Sequence, residues 1–146
     1  MENTEKEYDN LKLANQLCFP LYACSKEIVR KYRPFLEVLD LTYTQYITMM
    51  VMWEQKEINV KSLGDCLYLD SGTLTPVLKK LEEKGYLTRQ RSREDERNLC
   101  VSITEKGEEL KERVAHIPNL IAQCVNLEPE EAKFLYQILY KILKQL

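Results

Sequence analysis

Residues 59–104 decide the fold, and they read NVKSLGDCLYLDSGTLTPVLKKLEEKGYLTRQRSREDERNLCVSIT. Asn59 is a favourable N-cap for a short helix over residues 60–68. A tight connection then leads into a second helix over residues 72–84, and Gly85 is placed to end it as the C′ residue. The pattern predicts a helix–turn–helix.

The residues after the second helix change from a helical period to a period of two. Leu99, Val101 and Ile103 alternate with smaller or polar side chains in the run over residues 98–103, and a matching extended run covers residues 86–91. The polar tip SREDER separates the two runs. We therefore predict a β-hairpin directly after the helix–turn–helix, which is the order of a winged helix.

Apolar residues at helical spacing continue the pattern towards the N-terminus. Residues 11–31 predict one long helix, in which Pro20 is expected to cause a kink or a displaced start near Leu17. Pro34 is expected to mark a break in helical structure after this helix. Residues 42–54 predict a second, buried helix, which begins with a capping box because a threonine is followed three positions later by a glutamine.

Two further helices are predicted on the C-terminal side. Thr104 is expected to cap a long helix that reaches about Cys124 with a bend at Pro118, and the last helix is expected to open at Pro129. The terminal helices carry more apolar surface than a small central module can cover. That surplus predicts a homodimer formed through the terminal helices.

The predicted fold class is therefore mainly α with a small β-hairpin wing. We expect a single domain over residues 1–146. Within it, a winged helix–turn–helix lobe would span about residues 42–103, and dimerisation helices would span about residues 10–40 and 104–146.

The composition is that of an ordinary soluble domain, with 45% hydrophobic and 30% charged residues in 146. The sequence has no apolar run near the roughly 20 residues that a membrane helix needs. The N-terminus, MENTEKEYDN, is polar and does not resemble a secretory signal. We predict a cytoplasmic protein with no membrane partner.

Five cysteines are scattered along the chain without Cys-x-x-Cys spacing, and His116 is the one histidine. This pattern argues against a structural zinc site and a disulfide framework, so we predict no metal and no cofactor. The low histidine count also argues against most acid–base enzymes. The cysteines are Cys18, Cys24, Cys66, Cys100 and Cys124. Cys66 and Cys100 are expected to be inert packing residues.

Positive charge is concentrated locally, although the net charge of the chain is −2. Four arginines lie in nine positions of the hairpin, where an arginine can enter a narrow minor groove. Short hydroxyl side chains at the start of the second helix suit contacts to phosphates and base edges in the major groove. The predicted contacts to double-stranded DNA are Ser71, Thr73, Thr75, Lys79 and Lys80 on the helix, and Arg89, Arg91, Arg93, Asp95 and Arg97 on the wing.

Four motifs together resemble the MarR family of winged-helix regulators. They are NQLCF (residues 15–19), LTYTQY (residues 41–46), YLDSGTLTP (residues 68–76) and DER (residues 95–97). The wing motif is shared across the family. The other three are similar to the branch of organic-hydroperoxide-sensing repressors known as OhrR, and staphylococcal thiol-based global regulators share much of them.

The resemblance implies an obligate homodimer that represses promoters with a pseudo-palindromic operator. It implies that Cys18 is the thiol that reacts with an organic hydroperoxide. Tyr32 and Tyr43 match the family tyrosines that donate hydrogen bonds to this thiol from the partner subunit, and Tyr22 lies on the same helix as the thiol. Cys124 lies close to the place of a resolving cysteine in some relatives. An external low-molecular-weight thiol is the alternative.

Three functions remain open from the sequence. The first is a peroxide-sensing repressor, and a broader thiol-based oxidative-stress or virulence regulator is a variant of it. The second is a MarR-type regulator that is released by a small phenolic or other ligand, with Cys18 as a packing residue. The third, which the sequence favours least, is a thiol peroxidase that uses Cys18.

Overall fold

The computed structural model describes residues 8–92 and 98–146. Two short 3-10 helices, Asp9–Leu11 and Leu13–Asn15, precede seven α-helices and three strands in this part of the chain. The elements are α1 (Cys18–Glu37), α2 (Tyr43–Gln55), β1 (Glu57–Asn59), α3 (Val60–Leu67), α4 (Ser71–Glu83), β2 (Leu87–Arg91), β3 (Leu99–Ile103), α5 (Glu105–Val114), α6 (Ile117–Val125) and α7 (Pro129–Leu143). The prediction of a mainly helical fold with a small β wing is confirmed.

The chain divides into two compact units. One unit contains Tyr32–Ile117, with the helix–turn–helix and all three strands. The other contains the described residues before Tyr32 and Pro118–Leu146, which are helical. The predicted division into a DNA-binding lobe and dimerisation helices stays a prediction.

The helix–turn–helix is built from local signals that the sequence displays. The Asn59 side chain accepts a 2.8 Å hydrogen bond from the Ser62 N–H and so caps α3. The turn approaches Gly64 so closely that an added Cβ would lie 2.7 Å from the Leu69 carbonyl oxygen. Gly85 ends α4 with a φ of +78°, which a glycine adopts without strain. The core under the two helices consists of Leu63, Leu74, Leu78, Leu81, Leu87 and Val101, all at most 1% exposed.

The wing is a three-stranded antiparallel sheet in the order β1-β3-β2. Val101 pairs with Arg89 on one side and with Ile58 on the other. The predicted hairpin of β2 and β3 is confirmed. Strand β1 was not predicted, because three residues carry no detectable period and the strand exists through its pairing with β3.

Helix α1 begins at Cys18 and ends at Glu37, so the displaced start expected from Pro20 is confirmed. Pro20 is the third residue of the helix, where a missing N–H costs no intrahelical bond. The predicted break at Pro34 is wrong. The helix continues through this proline to its last turn, which is held by Leu36 at 2% exposure.

The capping box of α2 is confirmed. Thr42 accepts a bond from the Gln45 N–H at 3.3 Å, and the Gln45 side chain accepts one from the Thr42 N–H at 3.2 Å. The single long helix predicted after Thr104 is wrong, because α5 ends at Val114 and α6 starts at Ile117. Pro118 lacks the N–H that would bond the Val114 carbonyl, so the proline starts a new helix instead of bending one.

Candidate DNA-binding surface and thiol site

The N-terminus of α4 is fixed by Asp70. Its carboxylate accepts a 2.9 Å bond from the Thr73 N–H and a 3.1 Å bond from the Thr73 hydroxyl. These bonds, with the backbone bond contributing most, hold the pKa of Asp70 below its ordinary value. The first turn of α4 is therefore rigid while its side chains stay exposed.

The hydroxyl groups on α4 use their protons within the helix. Thr73 donates to Asp70, and Thr75 donates to the carbonyl oxygen of Ser71 at 2.7 Å. What these hydroxyls present outward is therefore acceptor lone pairs. Acceptors suit the exocyclic amino groups of adenine and cytosine, which lie in the major groove.

Ser71, Thr73, Thr75, Lys79 and Lys80 are all exposed on α4. Lys80 forms a 3.0 Å ion pair with Glu83. Pro76 lies inside α4 and is exposed. The structure thus brings the five predicted helix residues onto the solvent-facing side of the helix.

On the wing, Arg89 and Arg91 differ in their surroundings. Arg91 is exposed, whereas Arg89 is half-buried and forms an ion pair with Glu82 of α4 at 2.8 Å. The guanidinium of Arg89 is thus engaged within the protein. Arg93, Asp95 and Arg97 lie outside the described residues.

Cys18 is exposed and is the first residue of α1. The start of a helix carries backbone N–H groups without intrahelical partners and the positive end of the helix dipole. Pro20 removes one of those N–H groups. Tyr22 is one helical turn further on, is 63% exposed, and has the Lys26 ammonium 5.9 Å from its ring centroid.

Tyr32 and Tyr43 form an aromatic cluster with Tyr46. Their ring centroids are 4.9 Å apart for Tyr32 and Tyr43, 5.8 Å for Tyr32 and Tyr46, and 6.4 Å for Tyr43 and Tyr46. Tyr46 is 1% exposed. Tyr46 was not predicted to join this group, although its place three positions after Tyr43 puts both side chains on one helical face.

Burial raises the pKa of all three phenols. Burial is the main cause of the raised pKa of Tyr32, and the neighbouring Tyr43 phenol adds a smaller contribution. For Tyr43, burial alone raises the pKa. For Tyr46, burial and then the two neighbouring phenols raise the pKa to about 12. All three hydroxyls therefore keep their protons over the physiological range and are available as donors.

The remaining cysteines are free thiols. The prediction that Cys66 is a packing residue is wrong, because its side chain is exposed on the outer face of α3, while Leu63 and Gly64 are buried. Cys100 is half-buried in β3. Cys124 is exposed near the end of α6.

An open depression of about 740 Å³ lies beside the C-terminal half of α4. Within it, Lys84 forms an ion pair with Asp40 at 3.0 Å, and Lys80 forms one with Glu83. The depression is lined by Glu37, Asp40, Leu41, Thr42, Gln45, Lys80, Glu83 and Lys84.

Across residues 8–92 and 98–146, no helix has the length and apolar character needed to cross a membrane. The same residues contain no group of three or more side chains suited to hold a metal ion.

Comparison with known proteins decides the family. Residues 30–114 match the family described as transcriptional regulator SarA/Rot. The chain belongs to this family. It is 46% identical, over 97% of both chains, to the organic hydroperoxide resistance transcriptional regulator of Bacillus subtilis. It is 47% identical to the regulator SarZ of Staphylococcus aureus over 85% of this chain and 84% of the other.

A solved structure supports the same assignment for this SarA/Rot-family regulator. AbfR of Staphylococcus epidermidis, in its reduced form bound to DNA, is 34% identical with a TM-score of 0.78 over 95% of this chain and 97% of the other. AbfR is also known overoxidized on DNA and in a disulfide form. The predicted resemblance to MarR-type regulators of the organic-hydroperoxide branch is confirmed. The family and these relatives are transcriptional regulators, so the peroxidase hypothesis loses support.

Proposed function

We propose that this regulator is a homodimeric, DNA-binding repressor that releases its operator when an organic hydroperoxide oxidises Cys18. The observation that carries the proposal is an exposed thiol at the first residue of a helix, in a chain 46% identical to an organic hydroperoxide resistance regulator. The thiolate is the form of a cysteine that attacks a peroxide, and an exposed side chain can be reached by one.

The hydroxyl donors to the thiolate are Tyr32 and Tyr43 of the second subunit. The resemblance to organic-hydroperoxide-sensing repressors supports this assignment, because Tyr32 and Tyr43 match the tyrosines that serve as donors from the partner subunit in that branch. Tyr22 is one turn from Cys18 and supplies a third hydroxyl from its own chain.

Preference for an organic peroxide is supported by the apolar side chains next to the thiol. Leu17 is 75% and Phe19 is 42% exposed in the isolated chain. Contact between these side chains and the organic part of a peroxide buries apolar surface and so favours binding. Hydrogen peroxide has no organic part and lacks this contribution.

The oxidation proceeds in two balanced steps. The Cys18 thiolate attacks the outer peroxide oxygen, the O–O bond breaks, and the products are a sulfenic acid and an alcohol once a proton is supplied. The sulfenic acid then condenses with a second thiol to give a disulfide and water. The second thiol is Cys124 of the partner copy or an external low-molecular-weight thiol. Cys18 and Cys124 are both exposed, and AbfR, a relative, has a disulfide form.

The dimer is supported by apolar side chains that the isolated chain leaves uncovered. Leu135 and Ile138 of helix α7 are 43% and 38% exposed, and Phe134 is 66% exposed. A homodimer with two-fold symmetry carries two copies of α4, which fits a pseudo-palindromic operator with two half-sites. We propose a cytoplasmic location, where DNA and reduced thiols are both present.

The contacts to DNA come from α4 and the wing. Ser71, Thr73 and Thr75 would face base edges, and Lys79 and Lys80 would face phosphates. On the wing, Arg91 is the exposed arginine within the described residues. Arg93, Asp95 and Arg97 remain sequence-based candidates. Arg89 forms an ion pair with Glu82 within the protein.

The deciding experiment is fluorescence anisotropy on a duplex from immediately upstream of the gene for this chain, with and without cumene hydroperoxide. The wild type should bind when reduced and be released by the peroxide. Cys18→Ser should bind equally well and stay bound, and Cys24→Ser serves as the matched control that still responds. Peroxide-driven release of Cys18→Ser would contradict the sensor, and its release by salicylate alone would favour a ligand-controlled regulator.

A further inference from the structure

Glu82 and Arg89 form a three-bond contact between the last turn of α4 and the middle of β2. The Glu82 Oε1 atom accepts a 2.9 Å bond from the Arg89 backbone N–H. The Oε2 atom accepts bonds from Nε at 3.0 Å and Nη2 at 2.8 Å. The side chains are 35% and 23% exposed, so the pair is partly shielded from water.

The backbone bond places this contact at the edge of the wing. Strand β2 pairs with β3 on one side, and in the order β1-β3-β2 its other side is an edge. Edge strands present unpaired N–H groups. Glu82 covers one of them, so a single carboxylate both closes the sheet edge and holds the guanidinium.

Electrostatics alone does not explain a carboxylate at this position. Helix α4 is proposed to lie against a phosphate backbone, where a negative side chain opposes binding. The pair with Glu82 also offsets the positive charge of Arg89 and engages its Nε and Nη2 atoms, which weakens any contact of this guanidinium with a phosphate. A carboxylate at position 82 is explained if the contact between Glu82 and Arg89 fixes the position of the wing relative to α4.

We propose that Glu82 and Arg89 are positioning residues that set the distance and angle between α4 and the wing, so that both fit adjacent grooves of one DNA half-site. This inference rests on the proposed DNA-binding function. It predicts that removing a negative charge from α4 weakens DNA binding. If the Glu82 carboxylate acted only through its charge, its removal would strengthen DNA binding.

The test compares Glu82→Ala with Glu83→Ala, its matched control. Both changes remove one carboxylate from the last turn of α4, but Glu83 pairs with Lys80 and does not contact the wing. On the upstream duplex, reduced Glu82→Ala should bind about tenfold more weakly, which is about 1.4 kcal/mol. Glu83→Ala should bind as tightly as the wild type or more tightly. Equal or tighter binding by Glu82→Ala would overturn the proposal.

Arg89→Lys separates positioning from charge. Lysine keeps the positive charge but lacks the rigid planar fork that directs two N–H groups at the Oε2 atom of Glu82. Positioning therefore predicts a loss close to that of Arg89→Ala. Affinity that survives in Arg89→Lys and falls in Arg89→Ala would assign Arg89 to a phosphate instead. Hydroxyl-radical footprints should show that Glu82→Ala keeps protection under α4 and loses it under the wing.

Amide hydrogen exchange in free protein tests the contact without DNA. In Glu82→Ala the Arg89 N–H should exchange much faster, while the buried amides of α2 keep their protection. Unchanged exchange at Arg89 would show that no such contact exists in solution. A wild type that fails to bind the duplex would refute the proposed function, and the exchange result would still decide on the contact.

Discussion

The indole Nε1 of Trp53 donates a buried 2.8 Å hydrogen bond to the carbonyl oxygen of Gly107. This bond joins α2 to α5, and its two residues are 54 positions apart in the sequence. Gly107 also lets α5 lie close to the Tyr86 backbone and the Ile103 side chain. A Cβ added there would overlap the Tyr86 carbonyl oxygen and lie 2.8 Å from Cγ1 of Ile103.

Gly107→Ala should therefore destabilise the Tyr32–Ile117 unit by about 2 kcal/mol or more, because the Tyr86 backbone and the Ile103 side chain must both move. Urea unfolding followed by Trp53 fluorescence measures it, and Trp53 is the single tryptophan. Gly72→Ala is the control. Its added Cβ meets one atom, the Asp70 Oδ1 at 3.0 Å, so its effect should stay within about 1 kcal/mol. Equal losses in the two variants would contradict the close-approach argument.

Tyr43→Phe should slow the oxidation of Cys18 by cumene hydroperoxide without unfolding the protein. The change removes one hydroxyl donor and keeps the ring that packs 4.9 Å from Tyr32. Stopped-flow loss of free thiol gives the rate. Tyr46→Phe is matched in chemistry and cluster, and it should retain nearly the wild-type rate because its hydroxyl is not a proposed donor. An unchanged rate in Tyr43→Phe would remove that tyrosine from the site.

The free energy of unfolding should decrease at acid pH, in part because Glu82 becomes protonated. The Arg89 side chain, followed by the Arg89 backbone N–H, holds the pKa of Glu82 below its ordinary value of 4.5. A lowered folded-state pKa gives stability that is present above the unfolded value and is lost as pH falls through the folded value. The wild type should thus lose unfolding free energy below about pH 4.5, and Glu82→Gln should lose less over that window. Urea titrations from pH 7 to pH 3 measure both slopes, and parallel slopes would contradict the assignment.

Local signals made much of the fold predictable, and non-local contacts account for the errors. The caps at Thr42 and Asn59 and the end of α4 at Gly85 each depend on a few neighbouring residues, and all three were predicted. Strand β1 was missed because it forms by pairing with residues more than forty positions away. The break at Pro34 was wrong because the buried Leu36 offsets one missing backbone bond.

The site shows the same division. Ser71 to Lys80 could be placed on one exposed helix from sequence spacing. The aromatic contact of Tyr46 with Tyr32 joins two helices, and the contact between Glu82 and Arg89 crosses a turn between a helix and a strand. Residue spacing does not display contacts of this kind. A sequence that shows four arginines on a hairpin therefore predicts four DNA ligands, although one of them is engaged within the protein.

Thr75→Val should weaken binding to the specific duplex more than binding to a scrambled duplex of equal length. Valine keeps the shape of threonine and removes the oxygen, whose proton is already donated to the Ser71 carbonyl. The lost group is therefore an acceptor, and acceptors read adenine or cytosine amino groups in the major groove. A loss of about 1 kcal/mol on the specific duplex is expected. Lys79→Ala is the contrasting variant: it should weaken both duplexes alike and reduce the salt dependence by about one phosphate contact. If Thr75→Val weakened both duplexes equally, the threonine would act through helix geometry or a phosphate, and base reading would rest on Ser71 and Thr73.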